Sequence, residues 1–205
     1  MSAITVTPGS LSEPKNILLL LASPRKDSTS TALAEAFLRP LAGHNITRVF
    51  LPETDVAPCI GCGGCDRGNP CPFNGTDEMG RLLSLIGEAD GVILATPVYF
   101  LSLPASAKAF TDRLQQLYSR RFLLGQTQSK RIPCGLIITC GSENPEGPDA
   151  LRRQAGMLLS TFFGRICCEY ARTATDASPL SRADFQACEA LGRDFGQALA
   201  DGIYE

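Results

Sequence analysis

Asn16-Ile-Leu-Leu-Leu-Leu-Ala22, followed at once by Ser23-Pro-Arg-Lys-Asp-Ser-Thr-Ser-Thr31, decides the fold of this 205-residue chain. The first segment is a nearly unbroken apolar run of strand length, the pattern of a strand covered on both faces. The second is polar and runs into a helical pattern in which Leu33, Phe37 and Leu41 recur every fourth position. A buried strand that passes through a loop into an amphipathic helix is the unit of a parallel sheet, because parallel neighbours need a crossover. The unit recurs. Strand-like runs lie at 46–51, 91–95, 132–140 and 166–171. Helical stripes follow them: Met79, Leu82, Leu83 and Ile86 in a helix beginning at Asp77; Leu103, Ala107, Phe110, Leu114 and Leu117; residues 151–163; and Phe185, Cys188, Leu191, Phe195 and Leu199. This predicts an α/β fold: a doubly wound, five-stranded parallel sheet with helices on both faces. A (β/α)₈ barrel would need eight such units. Residues 1–14 have no period and read as a flexible tail, which leaves 15–205 as one domain.

Composition narrows the function. Hydrophobic residues make up 44% and charged residues 20%, with a net charge of -2. That excludes intrinsic disorder as the main state and argues against nucleic-acid binding, which needs clustered cations. No apolar run approaches the ~20 residues of a membrane span, and no small-residue cleavage site follows the first strand. The expected compartment is therefore the reducing cytoplasm, where nine cysteines are not a disulfide framework.

In doubly wound sheets ligands bind beyond the carboxyl ends of the strands, where strand order reverses. The loop after the first strand offers Ser23, Arg25, Ser28, Thr29 and Ser30 ahead of a helix N-terminus, a setting suited to phosphate. It contains no glycine, so it is neither a dinucleotide fingerprint nor a P-loop, and a phosphomonoester is the better fit. An ordinary polar turn with a Ser/Thr cap is the competing reading. After the third strand, Pro97, Val98, Tyr99 and Phe100 offer a stiff, aromatic edge for a flat ring, or else a hydrophobic lid. After the fourth, Gly141 and Ser142 permit close backbone approach. Together these suit a phosphorylated planar cofactor such as FMN. His44, the sole histidine, falls at the amino ends of the strands, and no Ser–His–Asp set is present. No side chain is assigned as catalytic in its own right.

The densest chemical signal is Cys59-Ile-Gly-Cys62-Gly-Gly-Cys65-Asp-Arg-Gly-Asn-Pro-Cys71, a Cys-rich loop after the second strand. Four thiols in one glycine-rich loop are what an iron–sulfur cluster requires. Gly61, Gly63, Gly64 and Gly68 let the backbone wrap tightly. Three alternatives stand beside it: four free thiols in a flap over the flavin, a structural zinc site (though zinc ligands usually come as two separated pairs), and a dithiol redox centre. Cys134, Cys140, Cys167, Cys168 and Cys188 read as small buried hydrophobes.

Ser23-Pro-Arg-Lys, Pro97-Val-Tyr-Phe and Lys108-Ala-Phe-Thr-Asp-Arg113 resemble the NAD(P)H-dependent FMN reductase superfamily of flavodoxin-like fold over residues 16–200. The cysteine spacing resembles its iron–sulfur flavoprotein branch. The resemblance implies FMN with its phosphate on Ser23, Arg25, Ser28, Thr29 and Ser30. It places the ring among Pro97, Val98, Tyr99, Phe100, Gly141 and Ser142, and a [4Fe–4S] cluster on Cys59, Cys62, Cys65 and Cys71. Family members commonly have Gly where this chain has Ala22, and Asn-Thr where it has Thr29-Ser30. The activity implied is electron transfer between a one-electron carrier such as a ferredoxin and a small-molecule acceptor, by a homo-oligomer, dimer or tetramer, with no nucleic acid or membrane involved. The alternative is a flavin-only reductase that passes electrons from NAD(P)H to quinones, nitro compounds or free FMN. A non-enzymatic flavodoxin-like carrier or a zinc-stabilised interaction module is a further rival.

Overall fold

In a computed structural model, residues 13–127 and 130–204 are described. Residues 1–12 of the expected tail lie outside them. Five parallel strands form the sheet: β1 (Asn16–Leu21), β2 (Asn45–Phe50), β3 (Gly91–Pro97), β4 (Lys130–Thr139) and β5 (Gly164–Arg172), in the order β2-β1-β3-β4-β5. The direction of winding reverses between β1 and β3. A two-residue strand, β6 (Ile203–Tyr204), pairs antiparallel with the start of β4 and has no counterpart in the sequence reading.

Alternation along each strand divides the core in two. Leu18 and Leu20 of β1 pack with Met79, Leu82 and Ile86 of α2 (Met79–Glu88), Phe110 of α3 (Ala105–Arg113), and Leu151 and Leu158 of α5 (Glu146–Ser160). Ile17, Leu19 and Leu21 pack on the other face with Leu33 and Phe37 of α1 (Thr29–Leu38) and Phe195 and Leu199 of α6 (Arg182–Asp201). Phe37 and Phe195 meet edge to face at 5.6 Å. Helix α6 begins in a capping box, Ser181 with Asp184. Among the described residues no helix is long and apolar enough to cross a membrane.

Three expectations shift. The third helix does not run smoothly to Leu117: α3 ends at Arg113, a short α4 (Gln115–Tyr118) follows, and the chain then widens into a π turn at Ser119–Leu123. The fourth helix starts at Glu146, five residues before its apolar stripe, because Pro148 is tolerated in a first turn. Cys167 is exposed rather than buried, for a reason given below.

Candidate functional site

The carboxyl ends of β1, β3 and β4 open onto a cavity of about 860 Å³. All eleven residues proposed from sequence for the flavin line it: Ser23, Arg25, Ser28, Thr29, Ser30, Pro97, Val98, Tyr99, Phe100, Gly141 and Ser142. The first loop is shaped by its hydroxyls. Ser28 caps α1 by accepting from the Thr31 N–H, and its Oγ lies 3.1 Å from that of Ser30. The Ser23 Oγ accepts from the Arg25 N–H. Ser23, Ser28 and Ser30 are buried, whereas Arg25 stays exposed. A polar, pre-ordered rim with the Arg25 guanidinium just ahead of a helix N-terminus suits an anion.

The turn after β3 is strained. Tyr99 and Ser102 exchange backbone hydrogen bonds, which forces Phe100 and Leu101 to φ of 49° and 58°. Two consecutive left-handed residues make a tight turn that normally takes Asn and Gly. The Phe100 side chain stands wholly in solvent at the rim. Such strain persists only where the surroundings enforce it and is concentrated at ligand sites.

Sequence reasoning missed one wall. The loop after β5 folds back onto the loop after β4: Thr175 N–H donates to the Cys140 carbonyl and Asp176 N–H to that of Gly141. Thr175 and Asp176 therefore also line the cavity. A Cβ on Gly141 would stand 2.3 Å from the Asp176 Oδ2, so any larger residue there would displace that exposed carboxylate. The usable signal was the hydroxyl-rich Thr173-Ala-Thr-Asp176 at the end of a fifth parallel strand, which must finish at the same edge as the others. Cys140 lines this cavity too, with its Sγ 3.4 Å from the Ser142 Oγ. His44 lies remote from it, its Nδ1 accepting from the Lys15 N–H at the amino end of β1.

Cys59, Cys62, Cys65 and Cys71 line a second cavity, of about 650 Å³, between their own loop, α3–α4 and α5. Gly61, Gly63 and Gly68 take left-handed φ of 64°, 65° and 77°, as the tight wrapping requires, whereas Gly64 does not. Cys59 and Cys62 are exposed, Cys65 and Cys71 half-buried. Among the described residues no three His, Cys, Asp or Glu side chains converge as a single ion's ligands. The four cysteines share the cavity without converging on a common point.

This loop has almost no regular structure of its own and is held from outside, by buried polar groups on the broken helix. Arg113 Nη1 donates to the Ala57 carbonyl and to Asp77 Oδ2, at 2.9 and 2.5 Å, with both ion-pair side chains at most 4% exposed. Asp77 also accepts from the Ala57 and Met79 N–H groups. Burial alone would raise the Asp77 pKa, but the hydrogen bonds from Arg113, Met79 and Ala57 and the guanidinium charge hold it below the usual range. Farther on, Ser119 Oγ donates to Asp66 at 2.6 Å, and Asn74 Nδ2 donates to Gln116 Oε1. Arg113, Gln116 and Ser119, three residues apart and all buried, thus fasten the loop at Ala57, Asn74 and Asp66. That polar stripe runs beside the apolar one, in which Leu114 lies in the core and Leu117 packs against it.

The Arg113 Nε is buried without a hydrogen-bond partner. Burial works against the Arg113 charge, yet the hydrogen bond to Asp77, the neighbouring Cys71 sulfur and the Asp77 charge raise its pKa. The guanidinium lies over the Phe73 ring and beside the Cys71 sulfur, so a permanent cation borders the cysteine cavity, a setting suited to an anionic, sulfur-ligated group. The two cavities share a wall: Gln154 lines the cysteine cavity and donates to the Leu101 carbonyl, while its Oε1 accepts from Ser102 in the strained turn.

A family model described as NADPH-dependent FMN reductase matches residues 15–159. An iron–sulfur flavoprotein of Archaeoglobus fulgidus is 35% identical over 129 residues, 62% of this chain and 56% of the relative. Another, of Methanocaldococcus jannaschii, is 36% identical over 97 residues, 46% of this chain and 49% of the relative. The chain thus spans about half the length of these curated relatives. Among solved structures, an NAD(P)H:quinone oxidoreductase from Methanothermobacter marburgensis superposes with a TM-score of 0.60 at 18% identity, covering 91% of this chain and 98% of the other, which establishes likeness of fold.

Proposed function

The chain belongs to the NADPH-dependent FMN reductase family, and from that premise we propose that it is an electron-transferring flavoprotein that carries FMN in the hydroxyl-lined cavity and a [4Fe–4S] cluster in the cysteine cavity. The observation that carries the reading is that Cys59, Cys62, Cys65 and Cys71 line one cavity, which Gln154 ties to the turn bounding the other. Four thiols in one loop suit an iron–sulfur cluster better than a zinc ion, whose ligands usually come as two separated pairs. When bound, FMN exchanges electrons in pairs or singly and the cluster exchanges them singly, so the two can join a one-electron carrier to a two-electron partner.

The chain's own residues would do the holding and the tuning. Ser23, Arg25, Ser28, Thr29 and Ser30 bind the phosphate through hydroxyls, a guanidinium and the α1 N-terminus. Pro97, Val98, Tyr99, Phe100, Gly141 and Ser142 bound the ring, with Thr175 and Asp176 completing that wall. Cys59, Cys62, Cys65 and Cys71 would ligate iron, with the Arg113 charge beside Cys71. Electrons come from a ferredoxin-type carrier or NAD(P)H and pass to a small-molecule acceptor, in the cytoplasm. Ile60, Phe122, Leu123, Leu124 and Met157 are exposed apolar side chains on the described surface. Their cover is a second copy of the chain in a homo-oligomer.

The test is elemental. Protein prepared without oxygen should contain iron, acid-labile sulfide and FMN together. Protein that carries flavin but neither iron nor sulfide after anaerobic reconstitution would return the reading to a flavin-only NAD(P)H reductase.

A further inference from the structure

Strand β5 carries two adjacent cysteines, Cys167 and Cys168, and neither lines either cavity. Neighbours on a regular strand point to opposite faces, which keeps their side chains apart. Here the two sulfurs are 3.9 Å apart. The cause is a bulge. The β4–β5 register steps from Cys134↔Ile166 to Gly135↔Cys168, so Cys167 is an extra residue with no partner across the ladder. The cores on the two faces record the same slip. Ile166 packs against the α2–α3–α5 core and Cys168 within the α1–α6 core, although residues two apart on a regular strand share a face. Cys167 is exposed, with buried Cys168 beside it. The hydrogen bond with Cys168 holds the Cys167 pKa below that of an ordinary thiol, against burial and the Asp194 charge, while the same bond and burial push Cys168 up. An accessible sulfur of thiolate character beside a second thiol is the arrangement of a reactive pair.

We propose that Cys167 and Cys168 form a redox-active dithiol, which hydrogen peroxide closes to a reversible vicinal disulfide. The Cys167 thiolate attacks one peroxide oxygen and the O–O bond breaks. The sulfur keeps that oxygen as a sulfenic acid, and the departing hydroxide takes up a proton as water. The Cys168 sulfur then forms the S–S bond as the S–O bond breaks, and the released hydroxide leaves with the Cys168 proton as a second water. Two thiols lose two electrons and one peroxide gains them. Consecutive Cα atoms are about 3.8 Å apart, below the roughly 4.4–6.8 Å usual for disulfides, so this bridge would be strained and readily reduced. The pair stands independently of FMN and of the cluster.

Trypsin offers a clean test, because cleavage after Arg165 and Arg172 isolates residues 166–172 with these two cysteines and no others. The anaerobic full-length protein with its bound cofactors is treated with graded hydrogen peroxide, unfolded, alkylated with iodoacetamide, digested and weighed. The expected peptide is unalkylated and lighter by two hydrogen atoms, and it becomes doubly alkylated when dithiothreitol precedes alkylation. In Cys168→Ser, Cys167 should instead be trapped as its sulfenic acid by dimedone. A doubly alkylated peptide at every peroxide dose, or over-oxidation of Cys167 while Cys168 remains alkylatable, would overturn the proposal.

Discussion

The Arg113–Asp77 pair should dominate both the stability of the cysteine loop and its dependence on acid. In Asp77→Asn the side chain keeps one oxygen, which can still accept from the Met79 N–H. The amide nitrogen then faces the Arg113 Nη1 and the Ala57 N–H, which now meet a donor where they had an acceptor. The guanidinium, about 1% exposed, loses its counter-charge. Breaking one side of a buried ion pair costs roughly 3–5 kcal/mol, a large part of the 5–15 kcal/mol that holds a typical domain together. Urea unfolding should show that loss at neutral pH. The Asp77 pKa is lowered in the folded state, so its contribution is present above the unfolded carboxylate value, about 3.9, and fades as pH falls through the lower folded value. The gap between wild type and Asp77→Asn should therefore narrow below about pH 4. Adding Arg113→Met removes the orphaned cation, so the double variant should lose less than the sum of the single losses. A neutral-pH loss under about 0.5 kcal/mol, the scale of an ordinary surface change, or a gap that stays constant into acid, would refute the pair's assigned role.

Three further outcomes are expected. Arg25→Ala should weaken FMN binding by about 1.5–3 kcal/mol in calorimetry while leaving riboflavin binding unchanged; equal wild-type affinity for the two would remove the phosphate site. Cys71→Ala should lose iron and sulfide yet keep FMN, whereas Cys188→Ala, at a buried thiol whose pKa burial pushes up to about 12, should keep all three; metal analysis of both variants decides. Phe100→Gly should stabilise the flavin-free protein by about 1 kcal/mol, because it relieves a positive φ at a side chain that buries nothing, and should weaken FMN binding; a lowered melting temperature of the flavin-free protein would contradict the strain argument.

The sheet was legible because each strand is a compact apolar run and each helix an apolar stripe, signals that belong to single segments. That eleven residues meet at one cavity and four cysteines at another could be read from the sequence, because a strand's carboxyl end, a hydroxyl cluster and a thiol spacing are local patterns too. What escaped depends on two segments at once. Thr175 and Asp176 reach the cavity only because the loop after β5 hydrogen-bonds the loop after β4. Cys167 is exposed only because pairing with β4 leaves it over as a bulge, and no period within β5 announces that. The Arg113, Gln116 and Ser119 stripe lies within a helical pattern whose period is carried by its apolar positions, and it is buried only because the cysteine loop folds over it.

That stripe runs through the break between α3 and α4. The apolar face itself continues across the break, with Leu114 in the core and Leu117 against it. Here the same turns must present a guanidinium, an amide and a hydroxyl to a loop that lacks a sheet or helix of its own. Each is buried and each is spent on a different part of that loop. Buried polar groups are tolerated when they are satisfied, and of this set only the Arg113 Nε is left over. The guanidinium that carries it stacks on the Phe73 ring and neighbours the Cys71 sulfur, which sets a permanent positive charge in the wall of the thiol cavity. Gln154 ties the same cavity to the turn at Leu101 and Ser102. The anchoring that shapes the thiol cavity and the strain that shapes the flavin cavity are therefore joined through one side chain, and occupancy of either cavity should stiffen the wall of the other.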